Sequence, residues 1–73
     1  MNGAMIEARV NGDLRSLPWG TAVAEVVRDL VGGDGQRGVA VARNGAVITR
    51  AEWQTTRIEA GDDIEVVRPI QGG

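Results

Sequence analysis

Two Asn-Gly pairs, Asn11-Gly12 and Asn44-Gly45, constrain this chain more than any other feature of its sequence. A two-residue hairpin loop of type I′ needs positive φ at both central residues, which Gly takes without steric cost and Asn takes more readily than most residues. Before the first pair, Ile6, Ala8 and Val10 alternate with Glu7 and Arg9, the pattern of a half-buried strand beginning at Met5, and Asp13 to Leu17 returns as its partner. Around the second pair, Val39 to Arg43 and Ala46 to Thr49 form another hairpin. Each turn therefore joins two antiparallel strands.

Between the hairpins the period changes. Pro18-Trp19-Gly20 breaks the second strand, and Val23, Val26, Val27, Leu30 and Val31 then fall at i, i+3, i+4, i+7 and i+8, one apolar stripe of a helix. Thr21 offers a hydroxyl to cap it. A full capping box from Thr21 needs Glu or Gln at position 24, which is Ala, so the expected cap is partial. Valines carry modest helix propensity, so packing of the stripe must hold the helix, and Gly32-Gly33-Asp34-Gly35 ends it.

Arg50 to Thr56 shows no period, and Trp53 within it is expected to plug the core under this crossing. After the turn Ala60-Gly61-Asp62, Asp63 to Val67 supplies a last strand with Ile64 and Val66 on one face. The acidic group Glu59, Asp62, Asp63 and Glu65 lacks the regular spacing of a calcium loop and reads as a solvated turn rather than a metal site. The order strand, strand, helix, strand, strand, strand makes an α+β domain in which one amphipathic helix covers one face of a sheet. Met1 to Ala4 read as a flexible leader, residues 5–67 as the domain and residues 68–73 as a tail, with Met5 an alternative start.

Composition removes most side-chain chemistry. The 73 residues include no Cys and no His, so there is no thiolate nucleophile, no imidazole base and no Cys or His metal ligand. Eight Arg against ten acidic residues leave a net charge of -2, which supplies no basic excess for phosphate neutralisation and argues against a nucleic-acid partner. The chain has no apolar run of the ~20 residues that span a bilayer and no signal-peptide layout, so a cytoplasmic protein is expected.

What remains is the end of the sequence, Arg68-Pro69-Ile70-Gln71-Gly72-Gly73. Two residues without side chains make the thinnest backbone a chain can offer, able to thread a narrow cleft and present the Gly73 carboxylate to a partner enzyme. A tail of this length reaches up to ~20 Å when extended, and Pro69 stiffens its base. Arg68 and Ile70 offer a charged and an apolar handle. A carboxylate becomes reactive once ATP adenylates it, and attack by a sulfur donor then leaves a thiocarboxylate that needs no side-chain help.

Met5-Ile6-Glu7-Ala8-Arg9-Val10-Asn11-Gly12, Thr21-Ala22-Val23-Ala24-Glu25-Val26, Val39-Ala40-Val41-Ala42-Arg43-Asn44-Gly45 and Gly61-Asp62-Asp63-Ile64-Glu65-Val66-Val67, followed by Gln71-Gly72-Gly73, resemble the sulfur carrier proteins of thiamine biosynthesis, the ThiS family. The likeness runs from Met5 to Gly73. It implies a ubiquitin-like β-grasp fold, a mixed sheet of four to five strands with the first and last strands parallel at its centre, one helix across it and a flexible Gly-Gly tail. It implies that the chain is no enzyme but a co-substrate. A ThiF-type adenylyltransferase uses ATP and magnesium to activate Gly73, a cysteine desulfurase or other sulfur donor supplies sulfur, and a ThiG-type thiazole synthase receives it. By position, Gly73 carries the thiocarboxylate, while Gly72, Gln71, Ile70 and Arg68 thread into the partner. The alternatives are the small subunit of molybdopterin synthase, from which this chain departs in having no Phe and a minimal first hairpin, and a ubiquitin-like interaction module with a passive tail. A protein modifier joined to lysines is a further one, although the absence of Lys bars such a chain from extending itself through side chains.

Overall fold

A computed structural model describes residues 4–33 and 37–68. Both Asn-Gly pairs adopt the type I′ geometry, with φ of 53° and 85° at Asn11 and Gly12 and of 51° and 85° at Asn44 and Gly45. The first joins β1 (Met5–Val10) to β2 (Asp13–Pro18), and the second joins β3 (Ala40–Arg43) to β4 (Ala46–Ile48). One helix, α1 (Val23–Val31), follows the first hairpin, and β5 (Asp63–Val67) is the last element. The segment expected to be irregular holds one 3₁₀ turn, Arg50–Glu52.

The five strands lie in the order β2-β1-β5-β3-β4. β5 is central, parallel to β1 and antiparallel to β3, while each hairpin is antiparallel. With α1 across one face, this is the ubiquitin-like β-grasp that the resemblance implies. Ala8 and Val10 of β1, Ile64 and Val66 of β5 and Val41 of β3 turn to the same side and bury against Val23, Val26 and Val27 of the helix. Full burial of an aliphatic side chain of this size stabilises by about 1.5–3 kcal/mol, so this Val/Ile layer holds the fold. Trp53 is 3% exposed and closes the core, its indole Nε1–H donating to the Ile48 carbonyl at 3.3 Å. The Arg50 guanidinium covers its ring, 5.4 Å from the centroid.

The helix start differs from the expectation. The N-cap is Ala22, not Thr21, and no side chain caps the helix amides from that position. The Thr21 hydroxyl instead donates to the Pro18 carbonyl at 2.6 Å. The first-turn amides of Val23 and Ala24 donate to the carbonyls of Thr56 and Trp53, at 2.9 and 3.0 Å. Glu25 supplies the returning half of a capping box, accepting from the Ala22 N–H at 3.0 Å. The orphan donors of the helix are thus met by the Trp53–Thr56 crossing, a tertiary solution that local spacing does not reveal.

Candidate functional site

Of the residues predicted to serve the tail, Arg68 lies within the described part, whereas Ile70, Gln71, Gly72 and Gly73 lie outside it. Arg68 points back rather than away. Its guanidinium donates to the Leu30 carbonyl at 2.9 Å, near the C-terminal end of α1, where helix carbonyls lack intrahelical partners and the dipole favours a cation. The base of the tail is therefore tied to the helix.

The strand that carries the tail is gripped from both sides. Asn11 N–H donates to the Ile64 carbonyl and Val66 N–H donates to Asn11 Oδ1, both at 2.8 Å. At the other end of β5, Asn44 N–H donates to the Asp63 carbonyl and Asp63 N–H to Asn44 Oδ1, again both at 2.8 Å. The two turn asparagines thus act as additional backbone-like rungs on β5. Sequence reasoning used them only for their φ, which Gly would satisfy equally well. The use of Asn where Gly would do was the available signal for a side-chain role.

Below β5 sits Asp62, which is 6% exposed. It accepts from Arg43 Nε at 2.8 Å, from Asn44 Nδ2 at 3.1 Å and from the Glu59 N–H at 2.8 Å. This corrects the reading of the acidic group as a solvated turn: Asp62 is an interior anchor, while Glu59, Asp63 and Glu65 are exposed. Burial raises the pKa of this carboxyl, but the Glu59 amide, the Asn44 amide and the Arg43 guanidinium outweigh it and hold the net value below the ordinary aspartate range. Glu59 adds a looser contact to Arg43 at 3.7 Å.

The sheet face opposite the helix is open. It presents Met5, Leu14, Val47 and Val67, each more than half exposed, among Glu7, Arg9, Asp63 and Glu65. Val67 joins this apolar face to Arg68. Trp19, at 76% exposure the most open aromatic described, lies at the other end of β1. With Ile6, Gly20, Arg57 and Ile58 it borders an open groove of about 560 Å³. Because β1 and β5 run parallel and Ile6 lies near the start of β1, this groove is remote from the end of β5.

Among the described residues there is no cysteine and no cluster of His, Cys, Asp or Glu that could hold a metal ion. The arrangement offers a last strand held on both flanks, ending at Val67 on an apolar surface. No described helix is long and apolar enough to cross a membrane. The model of the ThiS family matches residues 8–73. Among solved structures, the thiamine biosynthesis protein (ThiS) from Geobacter metallireducens superposes with a TM-score of 0.75 at 26% identity, covering 93% of this chain and 100% of that one. Comparison with curated proteins gives no match.

Proposed function

The chain belongs to the ThiS family, the sulfur carriers of thiamine biosynthesis, and we propose that its working group is the Gly73 carboxylate. The carboxylate oxygen attacks the α-phosphorus of ATP, held with magnesium by a ThiF-type adenylyltransferase, and pyrophosphate leaves. The persulfide of a cysteine desulfurase then attacks the acyl carbon and expels AMP, and a thiol reductant cleaves the S–S bond of the acyl disulfide so formed; a donor that delivers sulfide reaches the same product directly. The resulting thiocarboxylate passes its sulfur to a ThiG-type thiazole synthase. ATP-dependent activation of this kind belongs in the cytoplasm.

The observation that carries this reading is the pinning of β5. Bonds from Asn11, Asn44 and Arg68 hold the chain up to the root of the tail, so a docked enzyme meets a fixed origin for the segment it takes. The apolar sheet face continuous with Val67 is the surface on which that enzyme would rest. Nothing else among the described side chains competes for the chemistry, because the chain has neither Cys nor His.

The test is direct labelling. Incubation with ATP, magnesium, an active adenylyltransferase and a sulfur source should create one site, mapped to the C-terminus, that a thiol-selective alkylator modifies. Since this chain contains no Cys, none of its side chains contributes a thiol background. Absence of label with demonstrably active enzymes sinks the proposal. Partner binding that survives removal of Gly73, without any sulfur transfer by the parent, would favour a passive interaction module instead.

A further inference from the structure

The sheet has two open edges, and they are unequal. β4 is three residues long, whereas β2 is six and carries its only proline at its last position. The N–H of Trp19 donates to the Ala4 carbonyl, continuing the β1–β2 ladder, which fixes the alternation along β2. Odd-numbered residues turn their backbone groups to β1, and Leu14 and Ser16 turn theirs outward. An edge with unpaired N–H and C=O groups is a template for another strand.

We propose that β2 pairs antiparallel with β2 of a second copy of this chain, about a two-fold axis through Leu14. The side chains select both the occupant and the register. With Leu14 opposite Leu14, the two residues exchange backbone bonds, and Asp13 of each copy faces Arg15 of the other in the close, non-hydrogen-bonded positions. Asp13 and Arg15 are exposed and have no ion-pair partner among the described residues. Leu14, 58% exposed in the single chain, is covered by its own counterpart. Registers centred on Asp13 or Arg15 would oppose two like charges at the axis, and registers centred on Ser16 or Leu17 would set Leu14 or Ser16 against Pro18, which has no N–H to give. Charge and backbone chemistry thus leave one symmetric register.

The resulting two-fold is perpendicular to the sheet, so both helices lie on the same face and the two β5 strands end on opposite sides. Pairing leaves the root of each tail clear, and it is independent of sulfur chemistry. The contact is a single strand pair, so the dimer is weak and reversible, well below the area of a permanent interface.

Sedimentation of the full chain over a concentration series is the test, combined with charge exchange. The parent should show a monomer–dimer equilibrium in which the Leu14 amide becomes more protected from hydrogen exchange as concentration rises. Asp13→Arg and Arg15→Asp each place like charges opposite one another and should each weaken self-association about tenfold or more. An equimolar mixture of the two variants restores opposite charges at both pairs and should form a heterodimer at the parental affinity, as should the double variant D13R/R15D with itself. Thermal melting of each variant verifies that it is folded. A parent that stays monomeric at every concentration overturns the proposal, and so does a mixture that associates no better than either variant alone.

Discussion

Removing the Asp62 carboxylate should cost this small domain a large part of its stability. Three donors converge on that group, and two of them, Arg43 and Asn44, belong to the β3–β4 hairpin while the third, Glu59 N–H, belongs to the crossing before β5. A hydrogen bond to a charged group contributes about 1.5–3 kcal/mol, but the Arg43 and Asn44 side chains can regain water when Asp62 is truncated, so the three do not add in full. A loss of about 2–4 kcal/mol for Asp62→Ala follows. At roughly 0.05–0.15 kcal/mol per residue the whole domain commands about 4–11 kcal/mol, so the variant should melt roughly 10–30 °C below the parent. Urea or thermal unfolding followed by tryptophan fluorescence reads this cleanly, because Trp53 is buried and Trp19 is already in solvent. The pH dependence carries a second check. The folded pKa of Asp62 lies below its unfolded value, so its contribution is present above the unfolded pKa and is lost as pH falls through the folded one. The parent should therefore lose stability at acid pH more steeply than Asp62→Ala, and the two curves should converge below both pKa values. A change within about 0.5 kcal/mol at neutral pH, the size of an ordinary surface substitution, would refute the anchoring role.

Asn11→Gly keeps the turn geometry but deletes the acceptor for the Val66 amide, so it should destabilise by about 1 kcal/mol in denaturant unfolding and speed hydrogen exchange at Val66 in particular. Asn11→Val should cost more, since a β-branched residue resists a φ of 53°. Gly72→Trp, in the sequence beyond β5, should leave the melting temperature unchanged while sharply slowing adenylation by the partner enzyme; equal rates would remove the steric argument.

Much of the fold is legible because local and global demands agree. Asn11-Gly12 and Asn44-Gly45 specify their turns through backbone sterics alone, and the valine stripe of α1 specifies which face is buried. Trp53 was foreseeable because a large aromatic in a short irregular segment has nowhere better to go than the core. The misreadings share another cause: each concerned a polar group whose partner lies far along the chain. Asp62 meets Arg43 and Asn44 across 19 and 18 positions, and the helix amides find carbonyls of the Trp53–Thr56 segment about 30 residues on. A spacing rule sees four acidic residues around a glycine and reads water. Of the site, the sequence reading singled out the tail on its composition, but Arg68 proved to hold the domain's own helix, a contact set by how the helix crosses the sheet. Gly73, Gly72, Gln71 and Ile70 lie outside the described residues.

The parallel pairing of β1 and β5 has a mechanical consequence. In the proposed reaction, an enzyme that draws the tail into a cleft pulls β5 along its own axis, against neighbours that run beside it on both flanks. Such a load shears the Arg9–Asp62, Asn11–Ile64 and Val66–Asn11 bonds together, rather than peeling them apart one by one. A hairpin hung from its open end would unzip under a similar tug. Here traction on the tail is spread over the middle of the sheet, and the carrier can be hauled, emptied and released without coming undone.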